Sequence, residues 1–133
     1  MGEHELLVPR PSAYALLKLL AYVDRRAPRD LRDLGYVTQR HPFDPETIWE
    51  DAPTRDRLAD QTLVYDDLPA WFLGRDLRAT FDAEVVREFR RSLSVLASLG
   101  LWHRGLLVAH EADPERRIER ADRLIRALIA SLD

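Results

Sequence analysis

SAYALLKLLAYVDRRAPRDLRDLGYVTQR, residues 12–40, holds two helical periods separated by one proline. In the first, from Ser12 to about Arg26, Ala13, Leu16, Leu17, Leu20 and Val23 recur at helical spacing as an apolar stripe. Ala15, Lys18, Tyr22 and Arg25 share another face, so Lys18 projects beside a tyrosine and an arginine. Pro28 opens the second period, which runs towards Gln39 with Leu31, Leu34 and Val37 inward. Asp30 and Asp33, three residues apart, stand on neighbouring turns of one side. The Ala27-Pro28 joint is short, so the helices fold back as a hairpin or meet steeply, and either geometry brings Lys18 and the two aspartates within reach of one ligand.

Outward from this hairpin the chain continues as helical segments cut by proline and glycine. Residues 1–11 form an extended lead, with Pro9 and Pro11 enforcing extended geometry and Ser12 read as the helix cap. Residues 41–67 are a loop-rich connection with two short helical turns, at Pro45–Asp51 and Pro53–Gln61. A helix resumes over Leu68–Thr80; Gly74 inside it costs about 1 kcal/mol against alanine and calls for a close backbone neighbour. Asp82 caps a long helix with the stripe Val85, Phe89, Leu93 and Leu96, and Gly100 suits its left-handed C-terminus. Leu101–Ala109 is ambiguous between helix and bent extended chain. The last helix starts at Asp113-Pro114 and carries the seam Ile118, Ala121, Ile125, Leu128 and Leu132. Glu119 with Arg123 and Asp122 with Arg126 are acid-to-base pairs four residues apart on it. The expected fold is a single all-α domain over residues 1–133: the lead, a helical hairpin over 12–40, the connection, and helices over 68–133. That is a bundle of five to seven helices with minimal strand content.

Composition narrows the function classes. With 133 residues the chain buries a sizeable core unaided, and it has no cysteine for a disulfide, a thiolate metal site or a nucleophile. Met1–Leu7 carries two glutamates and a histidine where an export signal needs cations followed by an apolar run, and no apolar stretch approaches the ~20 residues of a membrane span. A cytoplasmic protein without membrane contact is expected. A net charge of −3 argues against a dedicated nucleic-acid binder. A helix-turn-helix role for the Arg29, Arg32 and Arg40 helix is weakened by Asp30 and Asp33, which phosphate repels.

Most templates for chemistry fail. There is no glycine-rich phosphate loop, and His4, His41, His103 and His110 are dispersed without a metal-ligand spacing. No serine stands in a nucleophile elbow. The doublet Asp66-Asp67 reads as solvated loop carboxylates. What stands out is Lys18, the single lysine among 20 basic side chains. An ammonium on a flexible stem meets a phosphate as a point charge, which the planar guanidinium does not imitate. The plain alternatives are a lysine on a solvated helix face, and aspartates that serve the dipole of their own helix.

The run SAYALLKLLAYVDRRAPRDLRDLGYV, residues 12–37, resembles the stretch that follows the catalytic palm in nucleotidyltransferases of the abortive-infection-toxin type, in the polymerase-β-like superfamily. The family has a helix of the form A-L-L-x-K-L-x-A, then basic residues and a K/R-D-x-x-D-L element. DLPAWFLGRDLRATF, residues 67–81, resembles the A-x-L-L-G-R-D segment of a subgroup. The resemblance covers roughly residues 8–80. It implies that Lys18 approaches a nucleotide phosphate, Arg29 adds a second cation, and Asp30 with Asp33 organises the site, with Arg25, Arg75 and Asp76 as secondary candidates. The chain departs from the family in lacking the Gly-Ser turn and Asp-x-Asp pair that hold nucleotide and Mg2+, so no catalytic or metal-ligating residue is assigned. The expectation is a nucleotidyltransferase-like helical region, a remnant or split part that is inactive alone and takes Mg2+ and a nucleotide only when a palm domain completes it. The toxin-antitoxin context belongs to the same resemblance. The other expectation is a helical adaptor or self-associating module, a homodimer or a partner-bound protein covering an exposed apolar face.

Overall fold

A computed structural model of the chain describes residues 10–100 and 113–133. Among these residues the protein is all-α: seven α-helices, one 3-10 turn and no strand. In chain order the helices are α1 (Pro11–Arg25), α2 (Pro28–Arg40), α3 (Thr47–Glu50), α4 (Ala52–Ala59), α5 (Leu68–Thr80), α6 (Ala83–Ser98) and α7 (Pro114–Ser131). The 3-10 turn Tyr65–Asp67 leads directly into α5. The expected lead and the Leu101–Ala109 segment lie outside the described residues, apart from Arg10 and Pro11.

Proline sets the starts. Pro11 and Pro28 occupy the first turns of α1 and α2, where a missing N–H costs nothing. α1 stops at Arg26, whose left-handed φ of 55° lets its N–H reach the Tyr22 carbonyl at 2.8 Å, and Pro28 then forbids continuation. Asp51 caps α4 by accepting from the Thr54 N–H, and Asp113 caps α7 by accepting from the Glu115 N–H. Asp82 holds the N-cap position of α6 without a side-chain bond. Gly100, φ +67°, follows the end of that helix as its residue type predicts.

α5 is the hub, touching α1, α2, α6, α7 and the 3-10 turn. Its Leu73 and Leu77 meet Leu19, Leu34, Phe89, Leu93, Ile125 and Leu128 in the main core. Each fully buried leucine contributes about 1.5–3 kcal/mol. A smaller core of Ile48, Leu63, Leu68 and Trp71 sits under α3 and α4. The close neighbour that Gly74 calls for is α7: a Cβ at Gly74 would lie 1.6 Å from Ser131 Oγ and 3.0 Å from the Leu128 carbonyl oxygen.

Four expectations are corrected. α1 buries Ser12, Ala15, Leu19 and Tyr22, while Leu17, Leu20 and Val23 of the apolar stripe are 57%, 53% and 44% exposed. Small residues at 12 and 15 let the α1 backbone approach the core closely, which the larger stripe residues would prevent. Ser12 is therefore no cap; it lies inside α1 with its hydroxyl buried, and Arg10 takes the cap position. Ile118 leaves the α7 seam and is 45% exposed, while on α6 Val86 is buried where Val85 is only half-buried.

Candidate functional site

α1 and α2 pack as a hairpin, and the short turn between them places the last turns of α1 beside the first turns of α2. Asp30 stands in the first turn of α2, where the helix dipole favours a carboxylate. Arg25 closes over it with two parallel bonds, Nε to Oδ2 and Nη2 to Oδ1, both 3.0 Å. That fork is the bidentate geometry peculiar to guanidinium. Lys18, two turns earlier on α1, sets its Nζ 2.7 Å from Asp33 Oδ2 and 3.7 Å from Asp30 Oδ1. The ammonium also lies 5.3 Å from the centre of the Tyr14 ring. Lys18, Arg25, Asp30 and Asp33 thus share one cluster.

The electrostatics are those of a closed set. The Arg25 bonds hold the Asp30 carboxyl below the ordinary carboxylate value, against the opposing effect of its enclosure, with Lys18 and Arg29 adding through space. The bond to Asp33 raises Lys18 above the ordinary lysine value in spite of partial desolvation. Two cations face two carboxylates, so the cluster carries no net charge of its own. Its evident work is to tie α1 to α2, with Asp30 entirely shielded from solvent and Lys18 at 22% side-chain exposure.

The remaining sequence candidates fall elsewhere. Arg29 is exposed and acts on Asp30 only through space. Arg75 binds Asp51 at the start of α4, a tie between helices. Asp76 lines a shallow groove of about 460 Å³ with Arg10, His41, Phe43 and Phe72. His41 is buried there, its Nδ1 has no hydrogen-bond partner, and desolvation holds its pKa below the ordinary imidazole value while Asp76 opposes. Phe43 and Phe72 stack beside it with centroids 4.9 Å apart. Among the described residues no group of acidic or histidine side chains is arranged to hold a metal ion.

Asp67 was hidden by its own doublet. Asp66 is exposed as expected, but Asp67 is 2% exposed and accepts from Arg123 Nε at 2.7 Å, a partner 56 residues away. Arg123 therefore serves Asp67. The available signal was Pro69, which fixes a helix start at Leu68 and turns the residue before it into a cap position aimed at the bundle.

Searches against known protein families, characterised proteins and solved structures return no match. No helix among the described residues is long and apolar enough to cross a membrane.

Proposed function

We propose that the chain is a helical interaction module that pairs with a second copy of itself through the outer face of α1. The observation that carries this is the exposure of Leu17, Leu20 and Val23 on a helix whose opposite face lies in the core. A helix so anchored presents a rigid apolar ridge to solvent, and such ridges mark contact sites. The spacing selects the occupant. Leu17 and Val23 lie three residues to either side of Leu20, so a twofold axis at Leu20 sets each Leu17 against the partner's Val23. An isologous contact of this kind needs no second protein. The α6 helix, which packs against α1, exposes Val95 and Leu99 as further apolar surface. The three α1 side chains fall well short of the ~800 Å² per partner of a standard interface. A weak dimer is expected, with Kd on the order of 10 μM. Sedimentation equilibrium tests it: the wild type should show concentration-dependent dimerisation that Leu20→Asp removes without loss of helicity, and a strict monomer up to millimolar concentration refutes it.

A second reading keeps the phosphate role implied by the resemblance to nucleotidyltransferases. It is favoured by the convergence of Lys18 with Asp30 and Asp33, the three groups that the resemblance assigns to one site. It requires a nucleotide to displace the internal carboxylate partners, with Mg2+ and a palm domain supplied from outside the chain, and it carries the toxin-antitoxin context with it. Titration with nucleotide and Mg2+, compared between wild type and Lys18→Ala, decides it: no binding, or binding unaffected by the substitution, removes this role.

A further inference from the structure

Charge is unevenly placed along the chain. Residues 10–40 hold seven basic side chains against three acidic ones, while the remainder holds 13 against 20, so the net charge of −3 conceals a cationic hairpin. Asp30 and Asp33, which in the sequence set negative charge among the arginines of α2, are spent on α1. Asp30 accepts both bonds of the Arg25 fork at 3.0 Å, and Asp33 Oδ2 lies 2.7 Å from Lys18 Nζ. What α2 shows to solvent is Arg29, Arg32, Tyr36 and Arg40, all exposed. Successive helical residues turn by about 100°, so these four fall within roughly 80° of one another, opposite the buried Leu31, Leu34 and Thr38. They run for about 16 Å along the axis. None of the three arginines joins an ion pair among the described residues. At the turn before them Arg26 adds an exposed cation, 5.5 Å over the Tyr22 ring, and Asp24 an exposed carboxylate.

The mixture of side chains on this face selects the partner. Guanidiniums pair with phosphate oxygens as planar forks and also stack on flat rings. Arg40 already does the second: its guanidinium carbon lies 4.0 Å from the centre of the Tyr36 ring, and Tyr36 is still 58% exposed. An exposed aromatic ring set between cations is a platform on which a nucleobase lies flat. A duplex keeps the faces of its bases inside its own stack, and an acidic peptide has no base to offer. We propose that the outer face of α2 binds single-stranded nucleic acid, with phosphates on Arg29, Arg32 and Arg40 and a base stacked on Tyr36. The row is short, so the binding is weak and sensitive to salt, each phosphate contact adding about 0.7 to the steepness of log K against log salt.

The test is fluorescence anisotropy of a labelled oligothymidylate of about twelve nucleotides, titrated with the full chain at several salt concentrations. The wild type should bind at low salt and weaken as salt rises. Arg32→Ala should weaken binding severalfold and lower the steepness of the salt dependence by about 0.7. Tyr36→Ala should weaken it about tenfold and leave the salt dependence as it was, because stacking releases no counterion. Arg87→Ala, an equal loss of charge at an exposed position of α6, should change neither. All three positions are exposed, so the circular dichroism should stay that of the wild type. Absence of binding at low salt, polyglutamate or the duplex with oligoadenylate bound as tightly as the single strand, wild-type affinity in Tyr36→Ala, or equal weakening by Arg87→Ala overturns the proposal.

Discussion

Gly74→Ala is the substitution on which the packing of the bundle can be judged most sharply. Inside α5 an alanine is intrinsically better than glycine by about 1 kcal/mol, so an isolated helix would gain. Here the new Cβ meets Ser131 Oγ at 1.6 Å, Ser131 Cβ at 2.8 Å and the Leu128 carbonyl oxygen at 3.0 Å. The hydroxyl can rotate away, but only by giving up its 2.6 Å bond to the Leu128 carbonyl in a side chain that is 1% exposed. The Cβ and the carbonyl cannot rotate, so α7 must move outward. Overpacking of this kind costs about 1–3 kcal/mol, and losing the buried bond about 1 kcal/mol more. After the propensity gain, the net destabilisation is about 1–3 kcal/mol. For a chain of this length that lowers Tm by roughly 4–11 °C. The partner substitution discriminates further. Ser131→Ala removes only the oxygen and leaves the Cβ contact, so it should rescue Gly74→Ala in part, whereas Ser131→Gly should rescue it by at least about 1 kcal/mol of coupling in a double-mutant cycle. Urea denaturation measures all six chains: the wild type, the three single substitutions and the two doubles. A Gly74→Ala protein at or above wild-type stability would mean that α5 and α7 do not meet there, and the arrangement of the main core would fall with that contact.

Other consequences are as direct. Asp30 is held below the ordinary carboxylate value, so its contribution to stability is present above about pH 4 and is lost as pH falls through the folded value; the gap between wild type and Asp30→Asn should close on acidification. Asp67 runs the other way: its folded value is raised, so its contribution relative to Asp67→Asn is fullest below about pH 4 and declines as pH rises through the folded value. Urea titrations of the three proteins across that range read both signs, and slopes of equal sign would contradict the burial assigned to Asp67. Thr54→Val strands the buried Trp71 Nε1–H and should cost about 1–3 kcal/mol, seen as a lowered urea midpoint with an unchanged slope. A Lys18→Met/Asp33→Asn cycle should give a coupling within about 1 kcal/mol, as for a partly exposed pair, and a much larger value would show a more desolvated cluster.

The fold was legible wherever a terminator and a period agreed. Pro28 and Pro114 mark helix starts, Gly100 marks an end, and Leu68–Thr80 coincides with α5 to the residue. The direction of burial of α1 was not legible, because Leu16, Leu17, Leu19 and Leu20 clothe most of its circumference and periodicity alone cannot choose between them. The choice is made by the packing of α1 on its neighbours: Lys18 and Arg25 turn towards the carboxylates of α2, and Ser12 and Ala15 are small enough to face the core. The convergence of Lys18 with Asp30 and Asp33 followed from the short Ala27-Pro28 joint. Their mutual neutralisation did not, since it depends on rotamers. Asp67 was missed for a similar reason, its partner Arg123 lying on α7 and satisfied on paper by Glu119.

The pairing of α1 with a second copy is open to a test that the absence of cysteine makes clean. Three single-cysteine chains, Leu17→Cys, Leu20→Cys and Val23→Cys, are oxidised alone and as the Leu17→Cys/Val23→Cys mixture. A twofold axis at Leu20 predicts rapid disulfide dimers for Leu20→Cys alone and for the mixture, and slow ones for Leu17→Cys and Val23→Cys alone. Equal rates in all four samples, or none above an exposed control such as Ala59→Cys, would contradict it.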